Sequence, residues 1–390
     1  MIYLDNAATT PLHPKAVAAM LPYLNETFAN PSSVYSPARQ VRKAIDDARH
    51  TIAAAIGANA SEIFFTASGT ESDNWAIKGV LESPKAKGKH IITSSIEHPA
   101  VHSLCEYLQS RGYDVTFLPV DDAGFVNPQD VENAIRPETC LVSVMLANNE
   151  VGTIEPVAAI SKITKKHGVL LHTDAVQALG HMPVNVNDLG VDLLTFSAHK
   201  FYGPKGIGGL YVKKGTPMAT LLYGGAQERG QRAGTENVIG IVGMAAALQA
   251  ALEEMPAEEK RLTALRDKLI EGIRTTIPYT KLNGPTGDKR LSGNVNISFR
   301  FIEGESLLLH LDMQDIYAST GSACSSGSLE PSQVLMSMGL THELANGAIR
   351  FSLGRQNTEA DINKLLAVLQ TTVKKLRDLS PLYDDFIARQ

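Results

Sequence analysis

A lysine beside a glycine-rich turn is the side chain best placed for covalent chemistry. The segment DLLTFSAHKFYGPKGIGG covers residues 192–209, in which an apolar run ends near Ser197 and Lys200 follows. Ligands of α/β proteins bind at the carboxyl ends of the strands. Partial burial there lowers the pKa of an amine and prepares it to form a Schiff base with an aldehyde. An ordinary surface lysine after a strand is the alternative, which the neighbouring hydroxyl, imidazole and glycines disfavour.

A carboxylate and an amide follow a second apolar run, in the segment HTDAVQ at residues 172–177. A buried carboxylate is costly unless it is paired, so Asp174 is suited to face a cationic ring nitrogen. Gln177 offers a side-chain amide three residues further on. An aspartate that caps a helix is the alternative interpretation, and one side chain can serve both roles.

Two further segments place polar groups between a strand and a helix. FTASGTESDN (residues 65–74) presents the first N–H groups of a helix to an anion such as phosphate, although an ordinary Ser-capped helix is the default alternative. SSIEHPAVH (residues 94–102) places His98 before Pro99, a favoured first residue of a helix. We expect His98 to stack on a cofactor ring or to act as an acid or base. A metal pair with His102 is disfavoured because no third ligand is apparent.

One of the three cysteines lies in a segment without large side chains. The segment Ser319–Ser328 reads STGSACSSGS and includes Cys324. Its small apolar area predicts a mobile surface loop, in which the thiol is exposed and reactive. Cys105 and Cys140 fall in apolar helix and strand patterns and are predicted to be buried. A nucleophile that travels between a buried cofactor and an external acceptor needs such a loop.

Alternating strand and helix patterns position these segments. Continuous apolar runs, typical of strands buried on both faces, predict the strands Glu62–Thr66, His90–Ser95, Asp114–Pro119, Leu141–Leu146, Val169–Thr173, Asp192–Ser197 and Gly208–Val212. Helical patterns between them cover Thr70–Leu81, Pro99–Gln109, Pro128–Ile135 and Val157–His167. Repeated β-α-β units of this kind predict a largely parallel sheet with helices on both sides.

The pattern changes after the first two thirds of the chain, where longer polar helices bracket the predicted strands Asn294–Phe299 and Ala348–Leu353. This change indicates a second unit of α+β character. We therefore predict a large domain over residues 15–257. Residues 1–14 would join residues 258–390 in a smaller domain.

Composition limits the class of protein. The chain has 390 residues, 44% hydrophobic and 20% charged, which is typical of a globular protein. Its 36 basic and 41 acidic residues give a net charge of −5, which disfavours nucleic acid or an anionic membrane as a direct partner. The longest apolar stretch, Val238–Leu252, is shorter than the ~18 residues of a membrane span, and we recognise no signal peptide. Three cysteines suit a reducing compartment, so we expect a cytoplasmic protein.

Nine ordered blocks give the chain a close resemblance to one family. They are YLDNAATTP, FTASGTESDN, EHPAV, NNEVGTIEP, HTDAVQ, SAHKFYGPKGIG, GGAQERGQRAGTEN, STGSACSSGSLEP and IRFSLGR. In these blocks the chain resembles the cysteine desulfurases of the NifS/IscS type, which are fold-type I pyridoxal-phosphate enzymes of the class-V aminotransferase group. The resemblance implies an α/β fold, with a mostly parallel seven-stranded sheet in the large domain and a smaller α+β domain. It also implies conversion of L-cysteine to L-alanine with pyridoxal 5′-phosphate as cofactor, the sulfur passing to a cysteine as a persulfide.

The resemblance implies a role for each matching residue. Lys200 would join the cofactor and move the α-proton of the substrate. Asp174 would pair with the pyridinium nitrogen, and Gln177 would hydrogen-bond the ring oxygen. His98 would stack on the ring and assist proton transfer, and Cys324 would attack the substrate sulfur.

Other matching residues would hold the phosphate and the substrate. Within one chain the phosphate would be bound by Gly69, Thr70, Ser197 and His199. Thr235 of the partner subunit would reach the same phosphate, so two complete sites would need a homodimer. Asn149, which would also contact the cofactor, and Arg350 would bind the substrate carboxylate, with Arg355 as a weaker candidate.

The implied partners are L-cysteine, a second copy of the chain, and a sulfur-acceptor protein, either an iron–sulfur scaffold or a tRNA thiolation enzyme. Two enzymatic alternatives use the same scaffold: selenocysteine lyase and aminotransferase. Neither needs Cys324 for the same reason. A non-enzymatic alternative is a sulfur carrier or scaffold partner whose only working part is the exposed thiol.

Overall fold

The computed structural model describes residues 1–320 and 331–389. Its strands are β1 (Ile2–Tyr3), β2 (Ile63–Thr66), β3 (His90–Ser94), β4 (Asp114–Leu118), β5 (Thr139–Ser143), β6 (Leu170–Asp174), β7 (Leu193–Ser197), β8 (Gly208–Val212), β9 (Thr280–Leu282), β10 (Asn294–Phe299), β11 (Ile316–Tyr317) and β12 (Ala348–Ser352). Its α-helices are α1 (Pro14–Met20), α2 (Pro22–Asn25), α3 (Ser36–Ala55), α4 (Gly69–Leu81), α5 (Pro99–Ser110), α6 (Pro128–Ala134), α7 (Val157–His167), α8 (Val186–Leu189), α9 (Val238–Thr276), α10 (Gly304–Asp312), α11 (Gln333–Ser337), α12 (His342–Asn346), α13 (Glu359–Arg377) and α14 (Pro381–Ile387).

A seven-stranded sheet forms the centre of the larger part, in the order β2-β8-β7-β6-β5-β3-β4. Five strands, from β7 to β4 in that order, run parallel to one another. Only β8 is antiparallel, between β2 and β7. Strands such as β7 are buried along their whole length, which explains their continuous apolar sequences. The predicted α/β fold with a mostly parallel seven-stranded sheet is confirmed.

The strand directions bring five carboxyl ends to one edge of this sheet. β2 and β7 both pair antiparallel with β8, so they point the same way. The ends of β2, β3, β5, β6 and β7 therefore meet, and the loops after them carry the segments that the sequence singled out. This is the edge at which open α/β sheets bind ligands.

A second, antiparallel sheet has the order β12-β10-β9. It packs with α10, α13 and the second half of α9 around a separate apolar core. The N-terminal arm joins this part: β1 pairs with β11, and Asp5 forms a bridge with Ser352. The arm therefore lies against β12, the strand that carries Arg350.

Helix α9 links the two cores. Ile241 and Leu248 pack in the core of the seven-stranded sheet, whereas Leu262 and Leu269 pack against the three-stranded sheet. By length and composition α9 could cross a membrane, yet half of its apolar stretch is buried inside the molecule. Core helices meet the same criterion, so α9 gives no argument for a membrane. The domain boundary near residue 257 falls inside this helix and stays a prediction.

Two local predictions need correction. The strand predicted over Leu141–Leu146 is β5, Thr139–Ser143; the prediction ran too far because the residues after β5 are also apolar and buried. Ser319 was predicted to begin a mobile surface loop, but it is only 5% exposed. Its backbone exchanges hydrogen bonds with Arg350 in both directions, at 2.6 and 3.2 Å. The rest of the segment to Ser328, beyond Thr320, lies outside the described residues.

Candidate active site

A cavity of about 380 Å³ opens at the carboxyl edge of the seven-stranded sheet. It is bounded by the edge loops, by the N-terminal arm and by β12. The structure brings together ten of the residues predicted for the site, namely Gly69, Thr70, His98, Asn149, Asp174, Gln177, Ser197, His199, Lys200 and Arg350. Residues separated by up to 281 positions in the sequence thus face one space.

Lys200 ends a 3₁₀ turn that directly follows β7. Its Nζ donates to the carbonyl oxygens of Ala7 and Ala8 at 2.6 and 2.8 Å, so the arm fixes the position of the amine. The Nε2 atom of His181 contacts the Lys200 carbonyl oxygen at 2.7 Å. The lysine is therefore a cavity residue, and the interpretation as a surface lysine is wrong.

Asp174 is the last residue of β6 and is 5% exposed. Burial raises its pKa to about 6, while the backbone N–H of Val176 and the charge of Lys200 favour the ionised form. The Val176 N–H donates to Asp174 Oδ1 at 2.8 Å. Asp174 therefore caps the turn that follows β6, not a helix, and still faces the cavity.

Helix α4 presents its N-terminus to the cavity. Ser68 Oγ accepts from the Glu71 N–H at 3.1 Å, and the first N–H groups of a helix have no partner inside it. A Cβ on Gly69 would lie 2.9 Å from Val176 Cγ2, and one on Gly208 would lie 2.5 Å from the Ser68 carbonyl carbon. Both glycines are therefore required for the close approach of backbone and side chains around this cradle.

Ser197 and His199 complete the cradle. Ser197 ends β7 and is buried. His199 Nδ1 contacts Thr9 Oγ1 at 3.2 Å, and burial with the nearby charge of Lys200 lowers the pKa of His199 to about 4. The ring is thus neutral at pH 7, and a neutral imidazole can donate one hydrogen bond to an anion.

His98 caps helix α5, as its position before Pro99 predicts. The Ala100 N–H donates to His98 Nδ1 at 3.1 Å, so the proton of the neutral ring resides on Nε2. Burial, followed by the charge of Lys200, lowers the pKa of His98 to about 4. His102 instead contacts the side chain of Gln333. Across residues 1–320 and 331–389, no three metal-ligating side chains come together.

Arg350 lies on β12 and is 2% exposed. Its Nη1 donates to the Asn149 carbonyl oxygen at 3.0 Å, and its Nη2 donates to Asp5 Oδ1 at 2.9 Å. The guanidinium is thus held at the cavity by two separate parts of the chain. Arg355, the weaker candidate, lines a different and smaller cavity beside Glu254, with a 3.4 Å ion pair.

Gln177, one of the ten cavity residues, contacts the N-terminal arm, whereas Thr235 lies outside the cavity. Gln177 Nε2 donates to the Ala7 carbonyl oxygen at 2.9 Å at the wall of the cavity. Thr235 is exposed and away from this cavity. Cys324 lies outside the described residues. Cys105 and Cys140 are buried, as predicted.

Several residues of the site were missed by the sequence interpretation. Asp5, Ala7 and Ala8 belong to the quoted block YLDNAATTP, and Asp73 to FTASGTESDN. Each block was noticed, but nothing in its local pattern shows which of its residues turn toward a cavity. The contacts of the arm with Lys200 and Arg350 join residues 192 to 345 positions apart.

Comparison with known proteins identifies the family. The profile of the family described as Aminotransferase class-V matches residues 2–365. The chain is 52% identical over 387 residues to Cysteine desulfurase IscS of Clostridium botulinum, covering 99% of this chain and 98% of that protein. The chain belongs to the class-V aminotransferase family, among the cysteine desulfurases of the NifS/IscS type. The predicted family and enzyme class are confirmed.

Solved structures agree with this assignment. One described as a NifS-like protein superposes with a TM-score of 0.90 at 38% identity, covering 96% of this chain and 99% of that chain. Another, described as SspA in complex with cysteine, gives a TM-score of 0.80 at 37% identity, over 90% of this chain and 99% of that chain. The fold is therefore shared over nearly the whole length.

Proposed function

We propose that this protein converts L-cysteine to L-alanine with pyridoxal 5′-phosphate and passes the sulfur to Cys324 as a persulfide. The observation that carries the proposal is the joint position of Lys200, Asp174 and the N-terminus of α4 around one cavity. An amine, a buried carboxylate and an anion cradle match the aldehyde, the ring nitrogen and the phosphate of that cofactor. The relatives named above support the same activity.

The residues present fit the cofactor by an independent criterion. The cradle around α4 is kept open by Gly69, where a Cβ would come within 2.9 Å of Val176. Gly69, Thr70, Ser197 and His199 would hold the phosphate, and Gln177 and Asn149 would contact the ring substituents. Asp174 would pair with the ring nitrogen, and His98 would cover one ring face. When bound, the cofactor supplies an aldehyde for the amine and a ring that withdraws electrons from the substrate.

Different residues of the chain then bind the substrate, move its protons and orient the amine. Arg350 binds the substrate carboxylate through its planar guanidinium, which suits bidentate contact, while Asn149 lies beside it. Lys200 Nζ takes and returns the proton at the substrate α-carbon. His98, which is neutral with its proton on Nε2, assists proton transfer at the bound substrate. The walls formed by the arm keep the amine oriented through the carbonyl groups of Ala7 and Ala8.

Transfer of sulfur requires a thiol that reaches the substrate. We propose Cys324 because the two other cysteines are buried, and burial raises the pKa of the Cys105 thiol to about 12 and that of Cys140 to about 11. A thiol is a poor nucleophile because the thiolate is the reactive form. As the Cys324 thiolate forms an S–S bond with the substrate sulfur, the C–S bond breaks and its electron pair stays on the substrate β-carbon. That carbon takes up a proton, and alanine is released.

The activity is tested with the purified protein loaded with pyridoxal phosphate. We expect equal amounts of alanine and sulfide from L-cysteine in the presence of a reducing thiol, and a Cys324 persulfide by mass spectrometry without it. Cys324→Ala should lose both, whereas the control Cys140→Ala should retain both. Full turnover by Cys324→Ala, or turnover of selenocysteine alone, would contradict the proposal. Amino-group transfer to a keto acid would indicate an aminotransferase.

A homodimer is the second part of the proposal. Thr235 is exposed in the single chain, and large apolar side chains are exposed on segments tied to its surroundings, including Phe28, Val34 and Tyr223 at 80, 87 and 87%. The ion pair of Arg42 with Glu236 and the backbone bond from Ala233 to Leu222 connect these segments. Apolar exposure of this extent marks an interaction surface. A monomer in light scattering at micromolar concentration would contradict the dimer.

The persulfide on Cys324 would pass its sulfur to an acceptor protein. We propose a cytoplasmic sulfur acceptor, either an iron–sulfur scaffold or a tRNA thiolation enzyme. Transfer of labelled sulfur from the loaded protein to candidates of both kinds distinguishes them. Retention of all label on the enzyme with both would contradict this part.

A further inference from the structure

A second carboxylate, Asp73, lies at the floor of the active-site cavity beside Asp174. It is on helix α4, one turn after the phosphate cradle, and it is 1% exposed. It lines the same cavity as Asp174 and Lys200. Within the described part of the chain, its Oδ1 has no hydrogen-bond partner. A buried polar atom without a partner is costly and needs a reason.

The groups around Asp73 cannot neutralise a negative charge. The nearby Thr195 hydroxyl favours the ionised form of the carboxyl group but carries no charge. His172 Nε2 is 3.6 Å from Asp73 Oδ1. That ring is held between Ser143 Oγ at 2.9 Å and Thr195 Oγ1 at 3.0 Å. Burial lowers the pKa of His172 to about 3, so the ring is neutral at pH 7.

Asp174 has better partners for an anion. It accepts the backbone N–H of Val176, and the charge of Lys200 favours its ionised form. The other titratable groups acting on Asp73 are carboxyl groups: Asp174 and Glu97. Burial and the charge of Asp174 raise the pKa of Asp73 well above its ordinary value. Two like charges sharing a buried site cannot both form readily.

We propose that Asp73 is a positioning residue that carries the proton of a carboxyl pair, leaving Asp174 as its ionised member toward the ring nitrogen of the cofactor. This proposal rests on the proposed function, because the ring nitrogen belongs to pyridoxal phosphate. A neutral Asp73 keeps the charge at the cavity floor at one negative unit. It thereby matches a single ring cation without adding a second buried charge.

The protonation of Asp73 is measured by infrared spectroscopy on protein labelled with ¹³C-carboxyl aspartate. The difference between wild type and Asp73→Asn isolates the Asp73 band, with and without pyridoxal phosphate. We expect a protonated carboxyl band at pH 7 in both states. In Asp174→Asn the same band should titrate at least about one pH unit lower, because the neighbouring charge is gone. If the role of Asp73 were purely structural, the pH at which its band titrates would not change in Asp174→Asn.

The second readout is cofactor affinity. Asp73→Asn keeps the shape and neutrality of the protonated acid, so its dissociation constant for pyridoxal phosphate should stay within about threefold of wild type, while Asp73→Ala should weaken binding about tenfold or more. Glu155→Gln, which alters another buried carboxyl group outside the cavity, is the control. If Asp73→Ala fails to fold, Asp73→Asn and the infrared band still decide.

Three results would overturn the proposal. They are an ionised Asp73 at pH 7, a titration unaffected by Asp174→Asn, and a large loss of cofactor affinity in Asp73→Asn. Failure of the proposed function looks different, because the wild-type protein would then neither bind pyridoxal phosphate nor release alanine. The infrared measurement on the protein without cofactor would still report the carboxyl pair.

Discussion

The two sides of the cavity are built in different ways. The sheet edge, formed by the loops after β2, β3, β5, β6 and β7, carries the groups proposed for the cofactor. The opposite wall, formed by the N-terminal arm and β12, carries Arg350 and holds it through Asp5, 345 positions away in the sequence. Local segments therefore make the side proposed for the cofactor, whereas long-range contacts between the two ends of the chain make the side proposed for the substrate.

The two sides also differ in how charge is balanced. At the sheet edge, burial dominates: the pKa of Asp174 is raised to about 6 and that of Glu97 to about 8, while that of His98 is lowered to about 4. On the wall, Arg350 is paired with Asp5 and with the Asn149 carbonyl group. Changes at the edge should therefore affect cofactor binding and proton transfer, and changes at the wall should affect substrate binding.

The largest effect is expected at the sheet edge from Lys200→Ala. Loss of the amine removes both the covalent link and the group that moves the α-proton, so kcat should fall at least about a thousandfold. Absorption spectroscopy of the protein mixed with pyridoxal phosphate should show no protein-linked band. Lys205→Ala, which removes an exposed lysine five residues away, is the control and should keep the band. Normal turnover by Lys200→Ala would contradict the assignment of the cofactor and of proton transfer to the sheet edge.

On the wall, Arg350→Ala should lower kcat/KM for L-cysteine about a hundredfold, because a buried charged hydrogen-bond partner is worth about 3 kcal/mol. The change should appear mainly in KM, and the visible band of the cofactor should persist. The kcat/KM of Arg350→Lys should lie between the values of wild type and Arg350→Ala, since an ammonium group lacks the planar fork of a guanidinium. Arg355→Ala lies at the other cavity and serves as control. A loss of cofactor binding in Arg350→Ala would contradict the separation.

Asp5→Asn tests the link between the arm and Arg350 with a smaller effect. The amide keeps the shape but loses the charge that orients the guanidinium, so KM should rise about threefold to tenfold. Steady-state kinetics with L-cysteine measure this, with Asp47→Asn on the exposed face of α3 as control. An unchanged KM, or a changed cofactor spectrum, would show that Asp5 does not act through Arg350.

The smallest effect on activity is expected at Glu97, where the prediction concerns stability at the sheet edge. Burial raises the pKa of Glu97 to about 8, above its ordinary value of 4.5, despite hydrogen bonds from Ser94 Oγ and the Met145 N–H. Protonated Glu97 therefore contributes stability that is complete below pH 4.5 and is lost as the pH rises through about 8. The melting temperature of Glu97→Gln relative to wild type should increase from pH 5 to pH 8.

Two outcomes of those melting curves are informative. The control Glu82→Gln, at an exposed position, should show a constant difference across the same range. A difference for Glu97→Gln that stays constant or falls with pH would contradict this account, because the pKa of Glu97 in the folded protein would then not be raised above its ordinary value.

The sheet edge could be predicted from the sequence to a greater extent than the wall. Strands such as β7 and helices such as α7 follow from apolar runs and helical spacing, and Lys200, Asp174 and His98 each lie within a few residues of a strand end. Parallel strands then bring these residues together without further information. The substrate side gave no such signal, because the neighbours of Asp5, Ala7 and Ala8 depend on how the chain ends pack. The burial of Ser319 was missed for the same reason, since it depends on pairing with Arg350.

Asp73 shows a different limit of prediction from the sequence. Its position on α4 follows from helix geometry, but its unusual protonation depends on Asp174, Thr195 and His172 meeting beneath the cavity. No pattern within a single segment contains that arrangement. Charge states at the floor of the site therefore need the folded structure.

The central claim is that the side-chain amine of Lys200 carries pyridoxal phosphate in the working protein. The direct measurement is borohydride reduction of the protein incubated with the cofactor, followed by peptide mapping by mass spectrometry. We predict a single reduced cofactor adduct on the peptide that contains Lys200, absent from Lys200→Ala. An unmodified Lys200 peptide, or an adduct on another lysine with undiminished alanine production, would contradict the assignment.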